Sequence, residues 1–104
     1  MSETFGEYLK RLRTEYELTL TQLAAKLDLD SANLSKIENN KRDFDEKRLE
    51  QLASIFSLDL EMLRSEFYSD LIAKKIYENN CNSDTLFLAE QKVEYLKSKK
   101  NTKQ

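Results

Sequence analysis

The chain has 104 residues, 35% of them charged and 39% hydrophobic, with a net charge of −2, the balance of one small globular domain with room for an appendage. It has no histidine and a single cysteine, Cys81, which excludes an intrachain disulfide and any Ser–His or Cys–His nucleophile and leaves a structural zinc site to carboxylates alone. With no proline and one glycine, Gly6, it favours helices over tight β-turns, so the expected fold class is all-α.

The first helix is predicted to begin after Thr4 and run to about Tyr16, with Phe5, Leu9, Leu12 and Tyr16 on one stripe and Tyr8 beside it. Thr4 and Glu7 have the spacing of a capping box, which Thr19 and Gln22 repeat before a second helix starting near Leu20. The inner face of that second helix is expected to be Leu20, Leu23, Ala24 and Leu27. Asp28-Leu29-Asp30 breaks the pattern, and Asp30 is a good N-cap for a third helix whose Leu34 and Ile37 point inward with Leu29. Ser31, Ala32, Asn33, Ser35 and Lys36 are left on its outer surface. Asn39-Asn40 stops this helix, because asparagine tolerates the left-handed backbone that a helix end needs.

Asp43 and Glu46 have capping-box spacing for a fourth helix lined by Leu49, Leu52, Ala53 and Phe56, with Phe44 as a staple or loop plug. Asp59 restarts the chain as a fifth helix with Leu60, Leu63 and Phe67 on one side, and the pattern continues through Leu71, Ile72 and Ile76 to Tyr77. Asn79–Asn82 interrupts it. Ser83 is then expected to cap a last helix carrying Leu86, Ala89, Val93 and Leu96, and Ser98–Gln104 to form a polar, frayed end.

Charge is uneven along the chain. Residues 1–70 carry 10 basic and 15 acidic side chains, whereas residues 71–104 carry 7 basic and 4 acidic. An acidic domain still binds DNA where its cations converge on one face, so the net charge leaves that question open. No apolar run is long enough to span a bilayer, and the N-terminus lacks the apolar centre of a signal peptide, so a cytoplasmic location and no membrane association are expected. No Gly-rich phosphate loop or catalytic spacing is present, so neither an enzyme nor a cofactor is expected.

The stretch from Phe5 to Leu63 resembles the XRE family of helix-turn-helix regulators, the Cro and phage-repressor type. The resemblance rests on Leu18, Thr19, Leu23 and Ala24, on the turn residue Leu29, and on Leu34-Ser35-Lys36-Ile37-Glu38. Asn39 to Arg42 and the run Leu49 to Leu63 extend it. It implies a five-helix bundle in which the second and third helices form the DNA-reading unit. It also implies a partly buried ion pair between Arg13 and Glu38, which otherwise read as ordinary surface charges. Three departures from the family pattern stand out. Leu20 occupies the place of a phosphate-binding glutamine, Glu17 and Asp28 stand where turn glycines are common, and Asp28 and Asp30 put negative charge beside the third helix.

In that geometry the third helix enters the major groove of double-stranded DNA. Ser31, Ala32 and Asn33 would face base edges with Lys36 one turn on, while Lys41 and Arg42 suit phosphates. Thr19 and Thr21 would replace the missing glutamine, and Asn39 completes the set of DNA-binding candidates. Lys47 and Arg48 join it only if they turn to the same side; otherwise they, like most exposed lysines and arginines, are solvated surface residues. The domain organisation that follows is residues 1–66 as the DNA-binding domain, 67–100 as a helical extension and 101–104 as a disordered tail.

The extension reads either as a flap over the domain's own core or as a dimerisation element, with Leu86, Ala89, Val93 and Leu96 packing on a second copy. A homodimer would match a palindromic operator. Cys81 reads as a free thiol or, under oxidation, as a bridge between subunits. The expected function is therefore a dimeric, sequence-specific transcriptional regulator, either a repressor or a controller of a restriction–modification operon. One alternative is an antitoxin whose extension binds a toxin protein while the remainder autoregulates its operon; another, if the acidic charge prevents DNA binding, is a purely structural protein-interaction domain.

Overall fold

A computed structural model describes residues 2–102. Its six helices are α1 (Phe5–Glu15), α2 (Leu20–Lys26), α3 (Ser31–Glu38), α4 (Leu49–Phe56), α5 (Leu60–Glu78) and α6 (Ser83–Thr102), with a 3-10 turn at Glu46–Arg48 and no strand among the described residues. The fold is all-α, as expected. Two compact units divide after Asp70.

In the first unit the helix starts are fixed by local chemistry. Thr4 and Glu7 form a reciprocal capping box at α1, and Thr19 and Gln22 form another at α2. Asp30 caps α3, accepting from the Asn33 backbone N–H at 2.7 Å. The helix ends use left-handed residues that are not glycine: Glu17, Asp28, Asn40 and Ser57 have φ of 55°, 56°, 63° and 53°. A β-carbon in this region costs about 1–2 kcal/mol relative to right-handed backbone. Glu17→Gly is therefore expected to stabilise the protein by about 0.5–1 kcal/mol, once the larger entropy of glycine in the unfolded chain is deducted, as read by urea denaturation.

The core assembles from one face of each helix. Leu9, Leu23, Leu27, Leu34, Leu52 and Phe56 are wholly buried, and Phe5, Leu12, Ile37, Leu49 and Leu63 are nearly so. Phe44 is the plug that the sequence suggests. Its ring lies 5.5 Å from that of Phe5, and Phe67 meets Phe5 edge-on at 5.4 Å. Leu20, Leu29 and Leu60 are only half-buried. Tyr16 is half-exposed because its ring lies edge-on against Phe56 at the rim, its hydroxyl donating to the Phe56 carbonyl at 2.9 Å.

At Gly6 a side chain is excluded by packing. A β-carbon there would overlap the Ile37 carbonyl oxygen and lie 2.8 Å from Asn40 Oδ1 and 3.0 Å from the Glu38 carbonyl. The absence of a side chain lets α1 approach the end of α3.

Three local expectations are corrected. Asp45, not Asp43, caps the turn before α4, accepting from the Lys47 N–H at 3.0 Å, because burial of Phe44 keeps the preceding chain non-helical. Asn82, not Ser83, caps α6 through the Asp84 N–H at 3.0 Å. Residues from Ser98 do not fray at once: α6 runs to Thr102, since lysine is a good helix former. Of the tail assigned to 101–104, residues 103 and 104 lie outside the described residues.

In the second unit none of the described side chains is buried. Leu86, Val93 and Leu96 are 52%, 48% and 62% exposed, and Phe87, Leu88 and Tyr95 are exposed with them.

Candidate nucleic-acid interface

The α2–α3 turn begins where the α2 pattern ends. Asp28 takes the left-handed conformation, the Leu29 N–H donates to the Ala24 carbonyl at 2.9 Å, and Asp30 caps α3. This places two short helices in contact, with α3 also packed on α1. Leu34 and Ile37 anchor the inner face of α3, while Ala32 and Lys36 are exposed and Ser31, Asn33 and Ser35 half-exposed on the outer one.

Several polar clamps fix this pair to the bundle. Arg13 on α1 grips Glu38 on α3 with two hydrogen bonds, Nε to Oε2 at 2.7 Å and Nη2 to Oε1 at 3.1 Å, and also donates to the Leu18 carbonyl at 3.0 Å. Glu38 is the one charged residue in the core among the described residues, 4% exposed. One arginine thus ties the end of α1, the α1–α2 loop and the end of α3 together. From the other side, Arg48 Nη1 donates to the Leu27 carbonyl, and Gln51 Nε2 donates to the Lys26 carbonyl at 2.6 Å. These carbonyls end α2 and lack partners within it.

The candidate contact residues divide by what already holds them. Lys36, Lys41 and Thr21 are exposed. Thr19 serves the α2 capping box, its hydroxyl accepting from the Gln22 N–H at 3.1 Å. Asn39 turns its amide back on α3, donating to the Ser35 carbonyl at 2.8 Å. Arg42 reaches over the α3 surface to donate to Asn33 Oδ1 at 2.9 Å. Arg48 is committed to Leu27. Its role, with that of Gln51, is not visible in periodicity, because it depends on where the next helix starts. Among the described residues no group of three His, Cys, Asp or Glu side chains is placed to hold a metal ion. No helix among them is long and apolar enough to cross a membrane.

A capped, clamped two-helix unit with an outward polar face on its second helix defines a DNA-binding regulator of the helix-turn-helix class. The chain belongs to the helix-turn-helix domain family, XRE type: residues 6–66 match that family. It is 34% identical over 83 residues to the HTH-type transcriptional repressor RghR of Bacillus subtilis (strain 168), an alignment covering 76% of this chain and 62% of RghR. It is 38% identical over 68 residues to Control protein C.MunI of Mycoplasma sp, covering 64% of this chain and 86% of that protein. A third relative, the uncharacterized HTH-type transcriptional regulator RghRB of B. subtilis (strain 168), is 38% identical over 60 residues, covering 57% of this chain and 43% of RghRB. No solved structure matches.

Proposed function

We propose that the protein is a sequence-specific transcriptional regulator that binds a palindromic operator as a homodimer, with α3 in the major groove. The observation that carries this reading is the α3 surface: a short helix fixed at both ends by side-chain clamps and presenting Ser31, Ala32, Asn33 and Lys36 outward. In this reading residues 1–66 bind DNA, residues 67–100 join the two copies, no catalytic step is involved, and the protein works in the cytoplasm.

The contacts separate by role. Lys36 sits on the reading face and donates to base edges; Ser31 and Ala32 lie nearer the helix start, where a hydroxyl or a methyl contact fits. Lys41, past the helix end, neutralises a phosphate, and Thr19 or Thr21 supplies a phosphate contact at the start of α2. Lys36→Ala is expected to change which bases are preferred. Lys41→Ala is expected to weaken binding evenly across sequences and lower the salt slope by about one unit. Selection from a randomised duplex library distinguishes them, and identical profiles for the two variants contradict this division.

A dimer fits the exposed stripe of Leu86, Ala89, Val93 and Leu96 on α6. Such a face is costly in water; two copies related by a two-fold axis cover it, and a two-fold dimer matches a palindromic operator with half-sites about one DNA turn (~34 Å) apart. Sedimentation at micromolar concentration is expected to show a dimer that Leu96→Glu converts to monomer. A wild-type monomer contradicts the dimer and favours the antitoxin reading, in which a toxin covers that face. Of the regulatory roles, control of a restriction–modification operon draws support from the 86% coverage of a relative named as a control protein, and repression from RghR.

A further inference from the structure

We propose that Asp30 and Arg42 are positioning residues that preset Asn33 to read adenine, and so determine specificity at one base pair of the operator. This rests on the reading of α3 as the DNA-contacting helix.

The side chain of Asn33 is held from both sides. Asp30 accepts from the Asn33 backbone N–H through Oδ1 at 2.7 Å and from its side-chain Nδ2 through Oδ2 at 3.1 Å. Arg42, arriving from beyond the end of α3, donates from Nη1 to Asn33 Oδ1 at 2.9 Å. An asparagine on a helix surface ordinarily turns its amide over freely. Here a half-turn points the NH2 group at a guanidinium, which only donates, and the carbonyl at a carboxylate, which only accepts. One orientation is therefore fixed.

The remaining valences select the base. The amide has two N–H hydrogens and two acceptor lone pairs, and its neighbours take one of each. One donor and one acceptor stay free, in a set order, with the donor on the Asp30 side. Adenine presents the complement in the major groove, an N7 acceptor beside an N6 donor. Guanine presents two acceptors, cytosine one donor, and thymine one acceptor beside a methyl group, so none satisfies both free valences. The negative charge of Asp30 beside the groove then has a purpose. It orients the reading amide as well as capping the helix, and Arg42 offsets its repulsion of phosphate.

Selection from a randomised duplex library, with wild type, Asn33→Ala, Arg42→Ala and Asp30→Ser, tests this; serine keeps the helix cap but offers no second oxygen to Nδ2. Wild type is expected to prefer adenine at one base pair by roughly tenfold or more, the scale of one bidentate contact. Asn33→Ala abolishes that preference, and Arg42→Ala and Asp30→Ser each reduce it severalfold at the same base pair while leaving the others unchanged. Adding Arg42→Ala to Asn33→Ala changes the preference no further. A preference that Asn33→Ala removes but Arg42→Ala and Asp30→Ser leave intact overturns the positioning role alone. A wild-type profile without preference at any base pair overturns the DNA-reading proposal and this one with it.

Discussion

Arg13→Ala is expected to destabilise the protein by about 3–5 kcal/mol, the cost of leaving a buried charge without its partner. Glu38 is 4% exposed, and its two carboxylate oxygens are taken by Arg13 Nε and Nη2. Removing the guanidinium leaves the carboxylate in the core with neither water nor cation. It also frees the Leu18 carbonyl, which Arg13 holds at 3.0 Å. The reverse deletion is milder. In Glu38→Ala the arginine keeps Leu18, and its 14% side-chain exposure gives the charge a route to water. The pair as a whole adds little net stability, since apolar residues of similar size pack as well, so Arg13→Met with Glu38→Leu is expected to recover most of the loss. Thermal melting checks the order: a fall of more than about 10 °C for Arg13→Ala, less for Glu38→Ala, and near wild type for the double variant. A loss under about 1 kcal/mol for Arg13→Ala is the behaviour of a surface pair and contradicts this account.

Gly6→Ala is the second large effect, and its sign is decided by competition. Alanine is the better helix former by roughly 1 kcal/mol. Against that, its β-carbon overlaps the Ile37 carbonyl oxygen and crowds Asn40 Oδ1 and the Glu38 carbonyl. Two of these three atoms are backbone at the end of α3, which cannot yield without moving the helix; overpacking of this kind costs about 1–3 kcal/mol or more. The net expectation is a loss of about 2 kcal/mol in urea denaturation. DNA affinity is expected to fall as well, because the displaced element is the helix proposed to read DNA. A Gly6→Ala protein as stable as wild type contradicts the close approach of α1 and α3.

What the sequence discloses here is what short-range chemistry controls. The two Thr capping boxes, the Asp30 cap and the left-handed Asn40 follow from neighbours three or four residues apart, and the structure shows each in place. The leucine and phenylalanine spacings likewise mark the core, because burial follows helical periodicity. The family pattern adds the Arg13–Glu38 pair, whose members lie 25 residues apart and share no local signal.

Features that depend on tertiary placement are less legible. Capping-box spacing points to Asp43, and burial of Phe44 against Phe5 puts Asp45 in the cap position instead. Arg48 reads from the sequence as a conditional DNA contact or a solvated charge, and Gln51 carries no signal, yet they close the end of α2, since α4 starts beside its last carbonyls. In the candidate interface, Asp30 and Asn33 have visible i, i+3 spacing, but Arg42 joins them only through the turn at Asn39-Asn40. Arg42 suits a phosphate contact by sequence alone; its bond to Asn33 gives it an additional partner on the outer face of α3.

Whether α3 reads base sequence is decided by one titration. A labelled duplex from upstream of the gene and a shuffled duplex of identical composition are titrated with the protein between 50 and 200 mM salt. At least roughly 1,000-fold tighter binding to the upstream duplex is expected, with both affinities falling as salt rises. Equal affinity for the two duplexes, or no binding to either at the lowest salt, contradicts it.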